Sequence, residues 1–466
     1  MAPLLRSGRQ TIHADIAHAL CERSADTVTE AGLREPAARY WLKATEQALS
    51  RSAYCEANRY VDSGLAQLPA LEEGPARQSL ELALQLARAN ALLPLRGYEA
   101  PETMGALTEA KRLVDSGVGN DLQRFSVLYL LCAASFFAAR LEPAHALARQ
   151  IVEFAEKQED ATYKLVGHRL LGTTLVLLGR YREALENLER AETHRDPARH
   201  RLLSYRFAND PGLAILCYKI WTLSALGRFD EAARVAEQVQ AEVDDHPHAP
   251  TVAFCKFFSF VVPLYVSDDY AGCERRCDDL IAYCEEKKVE QFRLLGILYR
   301  LLTRASREPN LDNVAQARAA LEAMHSFGGH LSDSSYMSWL AEASLMAGDL
   351  TGAQNGIAEC LAFIESSGER YHLADTRRVE ARIALAGPAP DRVRAEQCFR
   401  QAIEVAREQE FPLFELRATM ELARLWRDAR PAAELRALLE PLIAAIRGGD
   451  ETRDVRHARA FLAELA

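Results

Sequence analysis

The chain has 466 residues, 49% hydrophobic and 26% charged, and its 56 Lys and Arg against 66 Asp and Glu leave a formal charge of −10 with a pI near 5.8. That length exceeds one compact core unless the chain is a repeat array, which grows lengthwise. The acidic balance argues against a general nucleic-acid or anionic-membrane role, and no window offers the ~18 or more consecutive apolar residues of a membrane span.

The opening MAPLLRSGRQTIHADIAHAL lacks the apolar core and small-residue cleavage site of a secretory signal. Ten cysteines are scattered along the chain and are expected to stay reduced, which places the protein in the cytoplasm.

In chain order, residues 1–50 read as a helical lead-in, 51–430 as a repeat array and 431–466 as capping helices. Three segments align cleanly: LLGRYREALENLERA, ALGRFDEAARVAEQV and MAGDLTGAQNGIAEC. Each carries Gly (179, 227, 348), a large apolar residue two positions on (Tyr181, Phe229, Leu350) and Ala five positions on (Ala184, Ala232, Ala353). Glycine ends the first helix in the left-handed conformation, the large residue fills the angle between two helices, and alanine lets them approach. With weaker copies the marker falls near 52, 101, 139, 179, 227, 268, 312, 348 and 390, at spacings of 49, 38, 40, 48, 41, 44, 36 and 42.

Apolar helical runs precede the markers, among them FSVLYLLCAASFFA, YKLVGHRLLGTTLVLL, FRLLGILYRLLTRA and YMSWLAEASLMA. A last, blurred copy covers RDARPAAELRALLEPL. These spacings exceed the 34 residues of the tetratricopeptide unit and overlap HEAT and armadillo lengths, but the Gly–aromatic–Ala pattern decides for the former. Strand signals are absent. The expected fold is all-α: a right-handed superhelical solenoid of about nine or ten tetratricopeptide-like helix pairs.

Chemistry finds no foothold in the motifs. There is no phosphate-binding G-x-x-x-x-G-K-[ST], no G-x-G-x-x-G after a strand, no G-x-S-x-G elbow and no H-E-x-x-H. In CERRCDDLIAYC, Cys273, Cys277 and Cys284 share a helical face, but Cys273 takes the register of Ala184 and Ala232, so core packing is expected over a metal site. DDHPHAP groups Asp244, Asp245, His246 and His248 beside two prolines and reads as a solvated loop. In HRLLSYRFANDPGLAILCY, Asp210 reads as an N-cap with Pro211 at the first helical position, and His200 to Phe207 as a linker or added turn. Arg201 and Arg206 with Asp210 form a candidate anion or effector site at that helix start. No metal site, catalytic residue or cofactor is expected.

HRLLSYRFANDPGLAILCYKIWTLSALGRFDEA, RGYEAPETMGALTEAKRL, SGERYHLADTRRVEARIALA and AEQCFRQAIEVAREQEFPLFELRATMELARLWRD resemble the tetratricopeptide region at the C-terminal end of bacterial signalling ATPases. Those proteins join a class III adenylate cyclase or a DNA-binding domain to a STAND-type NTPase and then to this helical array. TEAGLREPAARYWLKATEQAL is similar to the family's link from ATPase module to first repeats. The catalytic modules have no counterpart here, and the segment from Arg23 to Thr29 is shortened. The resemblance therefore implies a sensory or regulatory module, either a separate protein or the tail of a split gene.

Stacked helix pairs leave a concave face lined by the first helix of each pair. Projected onto that face are Tyr129 and Phe136, Arg169 and Thr173, Cys217 and Trp221, and Ser338 and Glu342, with Trp221 and Arg169 as expected anchors because aromatic and Arg side chains dominate binding hot spots. Trp221 filling space between repeats is the equal rival. The sequence is thus read as a non-enzymatic module binding a peptide or protein, a separately encoded NTPase or cyclase among the candidates, with no nucleic acid or membrane involved. The alternatives are a regulator that binds a small effector between repeats, or the detached C-terminal part of a cyclase–ATPase protein.

Overall fold

The computed structural model describes residues 22–465 except 52, 98–99, 205–208, 262–268 and 327–328. Among them the chain is all-helical, its only extended pairing an isolated bridge between Arg228 and Arg447. The chain divides into two compact units, 1–138 and 139–466. No helix of the described residues is long and apolar enough to cross a membrane.

The first unit holds α1 (22–30), α2 (Arg34–Ser50), α3 (Tyr54–Leu65), α4 (Pro75–Arg96), α5 (Pro101–Asp115) and α6 (Asp121–Phe137). Trp41 of α2 stacks on Tyr60 of α3 at 5.6 Å, and with Ala25, Ala44, Ala48, Ala57 and Ala91 they form one core cluster. Helix α2, within the expected lead-in, is therefore the first member of a helix pair.

The second unit opens with α7 (Leu141–Ala155), followed by α8 (Ala161–Leu177), α9 (Tyr181–Glu192), the short α10 (Pro197–Leu203), α11 (Pro211–Ala225) and α12 (Phe229–Val243). Helix α13 (Ala249–Lys256) runs into a π turn, Phe257–Val261. Then come α14 (Tyr270–Lys287), α15 (Glu290–Arg307), α16 (Leu311–Ser326), α17 (Asp333–Met346) and α18 (Leu350–Ser367). The chain ends with α19 (Leu373–Leu385), α20 (Arg392–Glu408), α21 (Pro412–Trp426), α22 (Ala432–Ala445) and α23 (Arg453–Glu464).

The repeat register survives in the packing. Five residues past each marker stand Ala57, Ala106, Ala144, Ala184, Ala232, Cys273, Ala317, Ala353 and Ala395, and every one is buried. Cys277 and Cys284 join Cys273 in a core cluster with Phe257, Leu298 and Tyr299, as small apolar residues. Gly179, Gly227 and Gly348 take φ of +73°, +71° and +86°, and Ala139 holds the equivalent position at +51° without glycine's freedom. Markers 52 and 268 lie outside the described residues, and marker 312 falls in the first turn of α16.

The first helices α8, α11 and α17 are buried on nearly every side, whereas α15 buries one face only. In α11 only Lys219 escapes, and its ammonium meets Glu192 at 2.7 Å. A helix apolar all round must be sandwiched between neighbours. The second helices are amphipathic: α9 buries Tyr181, Ala184, Leu185, Leu188 and Ala191 and exposes charged residues.

The second unit also closes on itself. The amides of Arg370 and Tyr371 both donate to the Leu177 carbonyl at 3.0 Å. The Tyr181 hydroxyl donates to the Tyr371 carbonyl at 3.1 Å, across 190 residues of chain. Farther on, the Arg447 amide donates to the Gly227 carbonyl at 2.8 Å while its own carbonyl accepts from Phe229 at 2.9 Å. Arg182 pairs with Glu410, and Arg447 with Glu231.

Candidate functional site

Of the stretch 200–218, the described residues 209–218 lead into and begin α11. Asp210 caps α11, accepting from Gly212 at 2.7 Å and Leu213 at 3.1 Å through one carboxylate oxygen. The other oxygen lies 3.4 Å from His246 Nε2, and the Asp210 amide donates to Thr251 at 2.9 Å. His246 is accordingly buried, where the sequence suggests a solvated loop. Arg201 reaches the Glu242 carbonyl at 3.5 Å, and Arg206 lies outside the described residues. Both Asp210 oxygens are thus committed within the chain.

The projected concave-face residues sit deeper than an open groove would put them. In the first unit, Tyr129 stacks on Phe125 at 6.4 Å and the buried Phe136 meets Phe137 edge-on at 5.7 Å. In the second, Trp221 is 7% exposed, stacked on Tyr218 and Phe258 and edge-on to Tyr371 at 5.1 Å. Cys217 lies 3.7 Å from Cys255 Sγ and 3.3 Å from Ser259. Thr173 bonds back to the Leu170 carbonyl, and Ser338 is fully buried. Arg169 is 7% exposed, its Nε has no hydrogen-bond partner, and it makes no ion pair among the described residues.

Trp221 belongs to an aromatic belt that no local pattern announces. From Phe258 it passes through Phe257, Tyr299 and Trp339 to His372, Phe414 and Phe411, and Phe411 meets Tyr181 edge-on at 5.4 Å. Offset and edge-to-face pairs of this kind add ~0.5–1.5 kcal/mol each beyond area burial. The π turn, where Phe257 and Phe258 stand, is a local widening of the helix with no marker in the sequence.

Glu342 is where the projection meets charge. Its carboxylate takes a two-pronged bond from Arg378, both arms 2.9 Å, and a further one from Arg382. Arg378 also grips Asp375 at 2.6 and 3.1 Å. Arg417 bridges Asp375 at 3.4 Å and Asp454 at 2.6 Å. The neighbouring guanidinium groups outweigh burial and hold Glu342 down at about 2, and Asp375 is likewise pushed far below the usual carboxylate range. The chain of charges Glu342–Arg378–Asp375–Arg417–Asp454 borders a cavity of about 230 Å³ between α14, α15, α17, α19, α21 and α23.

A second cluster joins His325, His330 and Asp333, whose ligand atoms all lie within 4.8 Å of one another. The buried Asp333 accepts from His325 at 3.0 Å and His330 at 3.1 Å, which lifts the His325 pKa. Their chemistry suits a divalent transition metal, though the two hydrogen bonds already satisfy the carboxylate.

The chain is similar in structure to a Rap protein complexed with competence and sporulation factor, at 14% identity over 86% of this chain and 100% of that one, with a TM-score of 0.50. It is also similar to a Rap conjugation-gene regulator of a plasmid in complex with a Phr peptide, at 11% identity over 79% of this chain and 94% of that one, again with a TM-score of 0.50. The shared feature is the tetratricopeptide-like helical-repeat fold. No protein-family model and no curated protein sequence matches the chain.

Proposed function

We infer that the chain is a non-enzymatic binding module of a bacterial signalling system, whose second unit receives a peptide or a segment of a partner protein. The observation that carries this reading is the cavity beside Glu342: the first helices of consecutive pairs bring charged, mutually paired side chains to one open cleft. Two proteins of this fold, the Rap structures above, contain a bound factor or peptide. Resemblance to the arrays of STAND-type ATPases and class III cyclases suggests a separately encoded NTPase or cyclase as the partner, or descent from such a protein by loss of its catalytic modules. Trp221, Arg169 and Thr173 then act by setting the packing of α8 and α11 within the second unit. Tyr129 and Phe136 are proposed as partner contacts of the first unit by itself, independent of the cavity.

The small volume of the cavity favours a second reading, a regulator that senses a small effector. The two are separated by selecting displayed random peptides on the purified chain and measuring the selected sequences by calorimetry. Binding at micromolar Kd that is lost in Glu342→Ala supports the peptide reading. Selection that yields nothing tighter than ~100 μM overturns it, since even weak specific encounters reach that range.

A further inference from the structure

We propose that the cavity beside Glu342 is a carboxylate-binding site, which seats one acidic group of the ligand between Arg382 and Arg424. This rests on the cavity being the ligand site and adds the chemical class of what enters it.

Spacing builds the cluster. Arg378 and Arg382 stand at i and i+4 on α19, and Arg417 and Arg424 at i and i+7 on α21, so each pair shares one helix face. Helix α23 adds Arg453 and Asp454 from the far side. Among the described residues the lining carries five guanidinium groups against Glu342, Glu421 and Asp454, and Asp375 behind the wall brings the carboxylates to four. With His457 counted neutral, these groups leave a surplus of one positive charge in a chain whose net charge on the same convention is −10.

The arginines fall into two kinds. Arg378 and Arg417 are both about nine-tenths buried, and their N–H groups are largely spent on Asp375, Glu342 and Asp454. They form the frame. Arg382 reaches only Glu342, sharing an oxygen that Arg378 already holds, which leaves most of its donors free. Arg424 is exposed and its side chain has no hydrogen-bond or ion-pair partner among the described residues.

Free, planar donor forks beside a locked frame match a carboxylate, which takes two parallel N–H bonds. The single surplus charge matches one carboxylate better than a phosphate ester, whose greater charge the four resident carboxylates would repel. About 230 Å³ is below the ~300–1,000 Å³ of sites that enclose whole drug-sized ligands. It holds a group and its short stem, and Met346 and Met420 offer that stem an apolar wall. The group can come from a free small acid or from an Asp or Glu side chain of a peptide.

The probes are succinate and its diamide, an acetylated hexaglutamate peptide and its hexaglutamine counterpart, and inorganic phosphate, titrated calorimetrically at low salt into the full chain. Succinate binding assigns a free acid, hexaglutamate binding a peptide side chain, and in either case the uncharged counterpart is silent. Arg382→Ala/Arg424→Ala weakens that binding by roughly tenfold or more, the loss of one charge-assisted bond. Because neither residue belongs to the frame, the variant keeps the wild-type circular dichroism and melting temperature. The proposal fails if no carboxylate probe binds by about 10 mM, if the amides bind equally, if phosphate binds more tightly than both acids, or if the folded double variant binds unchanged. Should selected peptides bind while the double variant is indifferent, peptide recognition stands and the carboxylate seat falls.

Discussion

Glu369 and His372 stand in one buried turn, and the same desolvation moves them in opposite directions. Burial lifts the Glu369 carboxyl to about 7, although Ser332 and Ser334 donate their amides to it at 2.7 and 2.9 Å, and it lowers His372 to about 4. A raised acid stabilises the fold fully below its ordinary pKa near 4.5 and loses that contribution as pH climbs through about 7. A depressed histidine does the reverse, contributing above its ordinary 6.5 and losing the effect as pH falls through about 4. The two partly cancel between pH 4.5 and 6.5, so their joint contribution to stability changes little there. In Glu369→Gln the histidine's contribution is no longer offset, and urea denaturation should show stability rising across that interval by ~3 kcal/mol more than in the wild type. A variant curve parallel to that of the wild type would clear Glu369.

Arg169 presents the complementary case, a buried charge without an ion-pair partner among the described residues. Replacing such a group by an apolar one of similar length is commonly stabilising, so Arg169→Met should gain ~1–3 kcal/mol in denaturant melts. Asp210 was legible as a cap because Asp-Pro before an apolar run is a local signal. The role of Glu342 was half legible: its place on an inner helix follows from the repeat register, but Arg378 and Arg382 stand 36 and 40 residues away, beyond any periodicity.

At the scale of elements, one repeat position has different consequences in different copies. Gly227 and Gly348 both end first helices in left-handed backbone. A Cβ on Gly348 would meet nothing within 4 Å, whereas on Gly227 it would sit 2.6 Å from Pro412 Cγ. Gly348→Ala should therefore cost only the left-handed strain, ~1–2 kcal/mol. Gly227→Ala should cost measurably more and loosen the Arg447 bonds, read as faster exchange of the Arg447 amide. Equal losses in thermal melts would mean that the contact with Pro412 gives way freely. The glycine and alanine rhythm was visible because each repeat needs the same turn and the same close approach. The π turn and the aromatic belt were not, since ring contacts obey no fixed offset.

For the second unit as a whole, the array was legible and its closure was not. Helix periodicity and turn residues report on neighbours within a pair, and nothing local specifies that Tyr181 will find Tyr371 or that Gly227 will find Arg447. Tyr181→Phe removes the hydroxyl that satisfies a buried carbonyl and should cost ~1–3 kcal/mol, with the Arg370 and Tyr371 amides exchanging faster than those within α20. Uniform acceleration throughout the unit would instead mean that the seam is no weaker than the helices.

Open solenoids can gain or lose a copy in the middle, because each copy touches only its neighbours. Here Leu177 must meet Arg370 and Gly227 must meet Arg447, so deleting or inserting one helix pair between α12 and α18 would bring the wrong partners face to face. The number of copies in that span is consequently as fixed as the number of strands in a barrel, and diversity is confined to side chains and loops.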